Sequence, residues 1–221
     1  MDTRTLIRKT LIQMALQRAR PGTGSRWELI RRRPSMPSLP NLAAILGPIP
    51  WAVVGALAAR HYMPERATQD LDIAVLEKDA SEVRGRLQQA GFRYVGAAWV
   101  SPEGVSVDVL ELNAPWAEPA LQAAQGNRDA AGFPILPLPY LILMKFEAGR
   151  MQDLADIARM LGMAASDQVD AVREVFRRYR PEDLEDLESL LTLGRLEWMG
   201  PEGASSPSID ERVDPDDQEL A

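Results

Sequence analysis

The sequence has no cysteine and a single histidine, His61, among its 221 residues. Without cysteine the chain can form neither a disulfide nor a thiolate metal site, and a cytoplasmic location is the simplest expectation. One histidine excludes multi-histidine zinc sites and disfavours a histidine-based catalytic triad. Because His61 follows an alanine-rich helical segment, we interpret it as a residue at a helix end.

Charge is unevenly distributed along the chain. Residues 1–33 hold nine basic and two acidic residues, a net charge of +7, whereas the whole chain carries −7. A cationic segment on an acidic body can contact the phosphates of a nucleic acid, or it can fold back on that body. The arginine-rich, acid-poor start also leaves open a transit segment of mitochondrial type, although charges throughout the first twenty residues disfavour a cleaved secretory signal.

One stretch without charge, residues 42–59, is long enough to be considered as a membrane span. Gly47, Pro48 and Pro50 interrupt it, and proline removes a backbone donor and clashes with a continuous helix. The stretch is therefore predicted to form a short helix, a turn, a strand through Val54 and a helix from Gly55. We expect no membrane span.

Two aspartates lie one residue apart in a β-branched stretch, residues 70–75. In a strand, Asp70 and Asp72 project from one face, while Leu71 and Ile73 project from the other. Adjacent carboxylates repel each other, which costs stability unless a cation lies between them. Mg²⁺ or Mn²⁺ is the cation that such oxygen ligands favour.

These residues resemble a known family. Gly55-Ala56 at a helix start, Thr68 and Asp70-Leu71-Asp72 are similar to the hG[GS]…Dh[DE]h signature of the polymerase β-type nucleotidyltransferases. The pattern is closest to the minimal AbiEii-like branch, which includes the toxins of some toxin–antitoxin systems. The resemblance covers residues 50–161, about half of the chain. It implies an α/β (α+β) fold, in which a small mixed β-sheet core is flanked by helices and followed by a helical C-terminal part.

The resemblance also implies roles for individual residues. Catalytic metal ligands would be Asp70, Asp72 and Asp108, and the nucleotide would be bound by Gly55, Ala56, Thr68, Lys145 and Arg66. Ala56 departs from the signature, which has Gly or Ser there, so a backbone N–H contact is kept and a hydroxyl contact is lost. Asp108 is the only acid on its face of the predicted strand 105–112, and a solvated edge-strand acid is the alternative for it.

The segment around Lys145 also resembles the AbiEii-like branch, in which this lysine is thought to hold the triphosphate. Lys145 is the only charge in the first two turns of a mostly apolar helix, so it must reach either water or an anion. Arg150, Asp153 and Asp156 follow it, and they are interpreted either as part of the site or as helix-surface ion pairs.

The remaining pattern predicts the organisation of the chain. Helix 5–18 is expected to place Ile7, Leu11, Met14 and Ala15 on one face, with Arg8 among the charges around them. Phe133 to Leu138 is predicted as a last edge strand. The predicted regions are a basic helix with a Pro/Arg-rich arm (1–40), the nucleotidyltransferase core (41–163), a helical extension (164–199) and a disordered acidic tail (200–221).

The expected function is transfer of a nucleoside monophosphate from a nucleoside triphosphate to an acceptor, with Mg²⁺ or Mn²⁺. An RNA such as a tRNA 3′ end, a protein side chain or a small molecule would suit this core. The family branch implies a toxin with an antitoxin partner. The alternatives are an antibiotic nucleotidyltransferase and a catalytically silent binding module of the same fold.

Overall fold

The computed structural model describes residues 3–19, 40–63 and 71–198. Three of the predicted site residues, Arg66, Thr68 and Asp70, lie outside these ranges. The predicted arm, from residue 20 to 39, and the predicted acidic tail lie outside them as well.

Strands occur between residues 51 and 112 of the described chain, and helices lie before, between and after them. The elements are α1 (Thr3–Arg18), α2 (Leu42–Leu46), β1 (Trp51–Val53), α3 (Gly55–Tyr62), β2 (Leu71–Leu76), α4 (Ala80–Gln89), β3 (Arg93–Val95), β4 (Ala98–Val100), β5 (Ser106–Leu112), α5 (Ala117–Ala124), α6 (Leu138–Ala148), α7 (Met151–Met163), α8 (Ser166–Tyr179) and α9 (Leu184–Trp198). Single 3₁₀ turns at Glu77–Asp79 and Pro181–Asp183 precede α4 and α9.

The five strands form one mixed sheet in the order β1-β2-β5-β4-β3. β2 and β5 are parallel, and the other neighbouring pairs are antiparallel. Leu71, Ile73 and Val75 alternate along β2 and are all buried, as the period of two predicts. A mixed sheet flanked by helices confirms the predicted α/β fold class.

The uncharged stretch 42–59 folds as predicted, into α2, a turn, β1 and the first part of α3. The Asn41 side chain accepts a hydrogen bond from the Ala44 N–H at 3.2 Å, which caps the start of α2. Gly47 follows the helix with φ +58°, a backbone conformation that suits glycine. Within residues 3–19, 40–63 and 71–198, no helix is both long and apolar enough to cross a membrane.

The prediction of an edge strand at 133–138 is wrong. Ile135 pairs with Val53 through an isolated parallel bridge, and no strand forms there. The Val53 N–H donates to the Pro134 carbonyl at 2.7 Å, and the Leu136 N–H donates back to the Val53 carbonyl at 3.0 Å. Pro134 and Pro137 flank this bridge without N–H groups of their own, so the pairing does not extend into a ladder.

The helical C-terminal part packs on the sheet-containing part through one continuous cluster of buried residues, from Ile12 to Leu191. α7 packs on α9, α6 packs on α8, and α1 packs on α9. At the α7–α9 contact, Gly162 and Gly194 allow the two backbones to touch. The helices after residue 163 therefore share the core of the residues before them.

α1 buries only part of the apolar side that the sequence spacing defines. Of the residues predicted to share that side, Ile7 and Met14 are 54% and 43% exposed, whereas Leu11 packs against the core beside buried Ile12. Arg8, one of the charges predicted around this helix, is buried because it has partners inside the protein.

Arg8 fixes α1 to α9 and to the turn before it. Its Nε donates to Asp186 Oδ2 at 3.0 Å, and its Nη2 donates to Asp183 Oδ1. Its guanidinium also lies 4.1 Å from the ring centroid of Phe146, in a cation–π contact. Residues 3–18 of the basic N-terminal segment therefore fold back on the acidic body, which is one of the two alternatives that the sequence leaves open for this segment.

Candidate active site

Asp72 and Asp108 are neighbours in register on the parallel strands β2 and β5. Side chains at the same register position of parallel neighbours project from the same face of the sheet. Leu71 and Val107, the preceding register pair, point to the opposite face and are buried. The structure thus brings together two of the three predicted carboxylates, each half-buried.

Gly55 places the start of α3 against the Asp72 carboxylate. Its φ is +64°, and a Cβ added there would lie 1.8 Å from Asp72 Oδ2. The Val54 N–H also donates to the Asp72 backbone carbonyl at 2.9 Å. Only glycine allows this approach, so the first turn of α3, with Gly55 and Ala56, is fixed beside one carboxylate of the pair.

The carboxylate pair fits a divalent cation in its chemistry and in its surroundings. Carboxylate oxygens are the ligands that Mg²⁺ and Mn²⁺ prefer. The glycine at position 55 leaves space for the Asp72 carboxylate that a side chain would occupy. Within the residues the structure describes, no group of three or more His, Asp or Glu side chains is arranged to hold a metal. By the chemistry of their oxygen donors Asp72 and Asp108 fit as two ligands, and a metal site that they form with Asp70 stays a prediction.

Lys145 is buried and pairs with two carboxylates of the next helix. Its Nζ lies 3.1 Å from Asp153 Oδ1 and 2.8 Å from Asp156 Oδ2. Both aspartates are buried, so the interpretation of Asp153 and Asp156 as helix-surface ion pairs is wrong. The anion that Lys145 needs is present inside the protein, and its assignment to the triphosphate stays a prediction.

Arg150 shares Asp153 with Lys145 but lies at the surface. Its Nε and Nη2 donate to the two carboxylate oxygens of Asp153 at 2.6 and 3.3 Å, while 77% of its side chain is exposed. The hydrogen bond to Asp153 is the main cause that raises the pKa of Arg150, and the charges of Asp72 and Asp156 raise it further. Arg150 therefore lies within electrostatic reach of Asp72.

The pKa of Asp153 reflects opposing effects. Burial raises the pKa of this carboxyl, but the hydrogen bonds and charges of Arg150 and Lys145 lower it by more, and the net shift is downward. Asp153 is accordingly held as a carboxylate between two cations. Sequence reasoning missed this arrangement, and the signal for it was two acids three residues apart on the helix that follows a buried lysine.

Comparisons with known proteins give a distant structural likeness. No family model matches the sequence, and no curated protein matches it. The crystal structure of ANT(2″)-Ia in complex with adenylyl-2″-tobramycin aligns with a TM-score of 0.34 and 16% identity, over 70% of this chain and 91% of that one.

A solution structure of ANT(2″)-Ia, described as an antibiotic-resistance factor with substrate-regulated conformation dynamics, aligns with a TM-score of 0.33 and 15% identity, over 87% of this chain and 93% of that one. At these identities and TM-scores, the likeness is too distant to assign an activity or an acceptor.

Proposed function

We propose that this protein is a nucleotidyltransferase, which transfers a nucleoside monophosphate from a nucleoside triphosphate to an acceptor with Mg²⁺ or Mn²⁺. The observation that supports this most is the pairing of Asp72 with Asp108 on one sheet face, next to the glycine that starts α3. Phosphoryl and nucleotidyl transfers need positioning and charge stabilisation more than covalent chemistry from the protein.

Each part of the site has a role in this proposal. Asp72 and Asp108, together with Asp70, would hold the cation, which when bound neutralises phosphate charge and activates the acceptor hydroxyl. The first N–H groups of a helix have no acceptor within the helix, so those of Gly55 and Ala56 can donate to phosphate oxygens. Thr68 and Arg66 would shape the rim of the nucleotide pocket.

The acceptor defines the biological role, and three classes follow from the sequence analysis. Transfer to an RNA such as a tRNA 3′ end, or to a protein, would fit a toxin that has an antitoxin partner. Transfer to a small molecule would fit an antibiotic nucleotidyltransferase. A catalytically silent module would bind nucleotide without transferring it.

The test is a labelling assay with the full chain. Each of the four nucleoside triphosphates, labelled at the α-phosphate, is incubated with Mg²⁺ or Mn²⁺ and with total RNA, cell-lysate protein or an aminoglycoside. We expect label in one of these acceptor classes for the wild type, and a loss of transfer in Asp72→Asn and Asp108→Asn. Label in no acceptor, with nucleotide still bound, would favour the silent module.

Glu111→Gln is the matched control for Asp108→Asn. Glu111 lies on the same strand, but it projects from the opposite face and pairs with Arg84 of α4. Transfer should continue in this variant, because an exposed ion pair on the other face contributes little to the site. Full transfer in Asp72→Asn or Asp108→Asn would overturn the nucleotidyltransferase proposal.

A further inference from the structure

Two cations of very different exposure share Asp153. Lys145 has 4% of its side chain exposed, and its ammonium contacts both Asp153 and Asp156. Arg150 binds Asp153 through two nitrogens and is mostly exposed. Of the two, Arg150 is the cation that a molecule arriving from solvent can meet.

Contact between Lys145 and a nucleotide would require the ammonium to leave its buried partners. Removing one partner of a buried ion pair leaves an uncompensated charge in the interior, which is strongly unfavourable. Here both Asp153 and Asp156 would lose their contact with Lys145 at once. The energetic cost makes Lys145 a poor direct ligand for phosphate in this conformation.

Arg150 is the residue immediately before α7. α7 packs against α3, and α3 begins at Gly55, whose backbone abuts the Asp72 carboxylate. The charge of Asp72 also acts on the Arg150 guanidinium. A nucleotide whose phosphates lie on the first turn of α3, beside a cation held by Asp72, would therefore have Arg150 close to it.

We propose that Arg150 binds the phosphates of the nucleotide, and that Lys145 is a positioning residue that acts through Asp153. The inference rests on the proposed function and identifies the phosphate contact of the same site. A guanidinium has five N–H donors in a planar fork, so two bonds to Asp153 can orient it while other donors reach a phosphate. Lys145 fixes Asp153 from the inside, and Asp153 fixes Arg150 at the surface.

The test is titration calorimetry of the full chain with ATP, GTP, CTP and UTP in the presence of Mg²⁺. We expect Arg150→Gln to weaken binding of the preferred triphosphate by about 10- to 100-fold, the usual value of a hydrogen bond to a charged group. Arg150→Lys should recover part of the affinity, and binding of the matching nucleoside without phosphates should be unchanged. Arg177→Gln, which also removes an exposed arginine paired three residues away along a helix, is the matched control and should bind normally.

A double-mutant cycle tests whether Asp153 orients Arg150, the step through which Lys145 would act. If Asp153 acts by orienting Arg150, Asp153→Asn should weaken triphosphate binding in the wild-type background and have little further effect in Arg150→Gln. Losses that simply add would overturn the positioning role. Because Arg150 is exposed, Arg150→Gln carries the main test even if Asp153→Asn does not fold.

The outcomes separate this inference from the proposed function. A wild-type protein that binds none of the four triphosphates would overturn both. A wild-type protein that binds one of them, together with Arg150→Gln that binds it equally well, would overturn the role of Arg150 alone. In that case the carboxylate pair would keep its proposed role.

Discussion

The ammonium of Lys145 lies 2.8 Å from the carboxylate of Asp156, and both side chains are almost completely buried. The sequence pattern requires Lys145 to reach either water or an anion. The structure supplies that anion inside the protein, because the lysine neutralises Asp153 as well as Asp156.

Lys145→Met is therefore predicted to destabilise the fold. It leaves two buried carboxylates without their shared cation, so we expect a loss of about 3–5 kcal/mol in the free energy of unfolding, measured by urea denaturation. Lys78→Met is the matched control, since the pair of Lys78 with Glu118 is exposed and its loss should cost under about 1 kcal/mol. Equal midpoints for the two variants would mean that the buried network does not support the fold.

A second prediction concerns pH. The pKa of Asp153 is below its ordinary value in the folded protein, since Arg150 and Lys145 outweigh the effect of burial. The ionised form therefore stabilises the fold at pH values above the unfolded pKa of about 3.9, and that stabilisation is lost as the pH falls through the folded pKa. The unfolding free energy of the wild type should drop more steeply on acidification than that of Asp153→Asn.

The measurement is a series of urea denaturations from roughly pH 6 to pH 3, a range that brackets the ordinary aspartate pKa. Asp170→Asn is the control for the loss of a carboxylate, because this side chain is 72% exposed beside Arg173 and an exposed ion pair contributes little to stability. Parallel curves for the wild type and Asp153→Asn would contradict the lowered pKa.

The third prediction concerns the approach of α3 to the carboxylate pair. Gly55→Ala would place a methyl group 1.8 Å from Asp72 Oδ2, so the carboxylate must move and nucleotidyl transfer should fall to background in the labelling assay. Gly96→Ala is the control, since Gly96 also has a positive φ, +67°, but has open space around it.

Both alanine variants carry the same backbone strain, of about 1–2 kcal/mol for a left-handed residue. A loss of transfer in Gly55→Ala alone would thus be assigned to the displaced carboxylate. If Gly55→Ala transferred nucleotide as well as Gly96→Ala, the contact with Asp72 would not matter for the site.

Local patterns were sufficient for much of the fold and for part of the site. Strand alternation separated Asp72 from Leu71 and Ile73, and the prolines after Gly47 predicted the break between α2 and β1. The alternation of apolar and polar residues could not predict that Asp72 and Asp108 are neighbours, because this depends on β5 lying beside β2 in the sheet. The family resemblance supplied that expectation.

Long-range pairing explains what sequence reasoning missed. Arg8 and Lys145 look like surface or site cations by spacing, yet each is neutralised by two aspartates from elsewhere in the fold. Periodicity describes which residues share a face, but it does not show whether a charge on that face will find a buried partner. Ile7 is exposed for the same reason, because the side of α1 that faces the protein is the one on which Arg8 finds its buried partners.

The last prediction concerns the contact between α7 and α9, which no pattern in the sequence indicated. A Cβ on Gly194 would lie 1.8 Å from the Ala158 carbonyl oxygen, and one on Gly162 would lie 2.5 Å from the Gly194 carbonyl oxygen. Both obstacles are backbone atoms of packed helices, which cannot move aside as a flexible side chain can. Gly194→Ala must therefore push the two helices apart.

The matched control is Gly85→Ala in α4, where a Cβ would have open space around it. Alanine is favoured over glycine inside a helix by about 1 kcal/mol, so Gly85→Ala should raise the free energy of unfolding by up to that amount. Gly194→Ala should lower it by about 1–3 kcal/mol or more, the usual cost of overpacking a core. The same chemical change is thus expected to have opposite signs at two helical positions, as read by urea denaturation. A stabilised Gly194→Ala would mean that α7 and α9 do not pack backbone to backbone in solution.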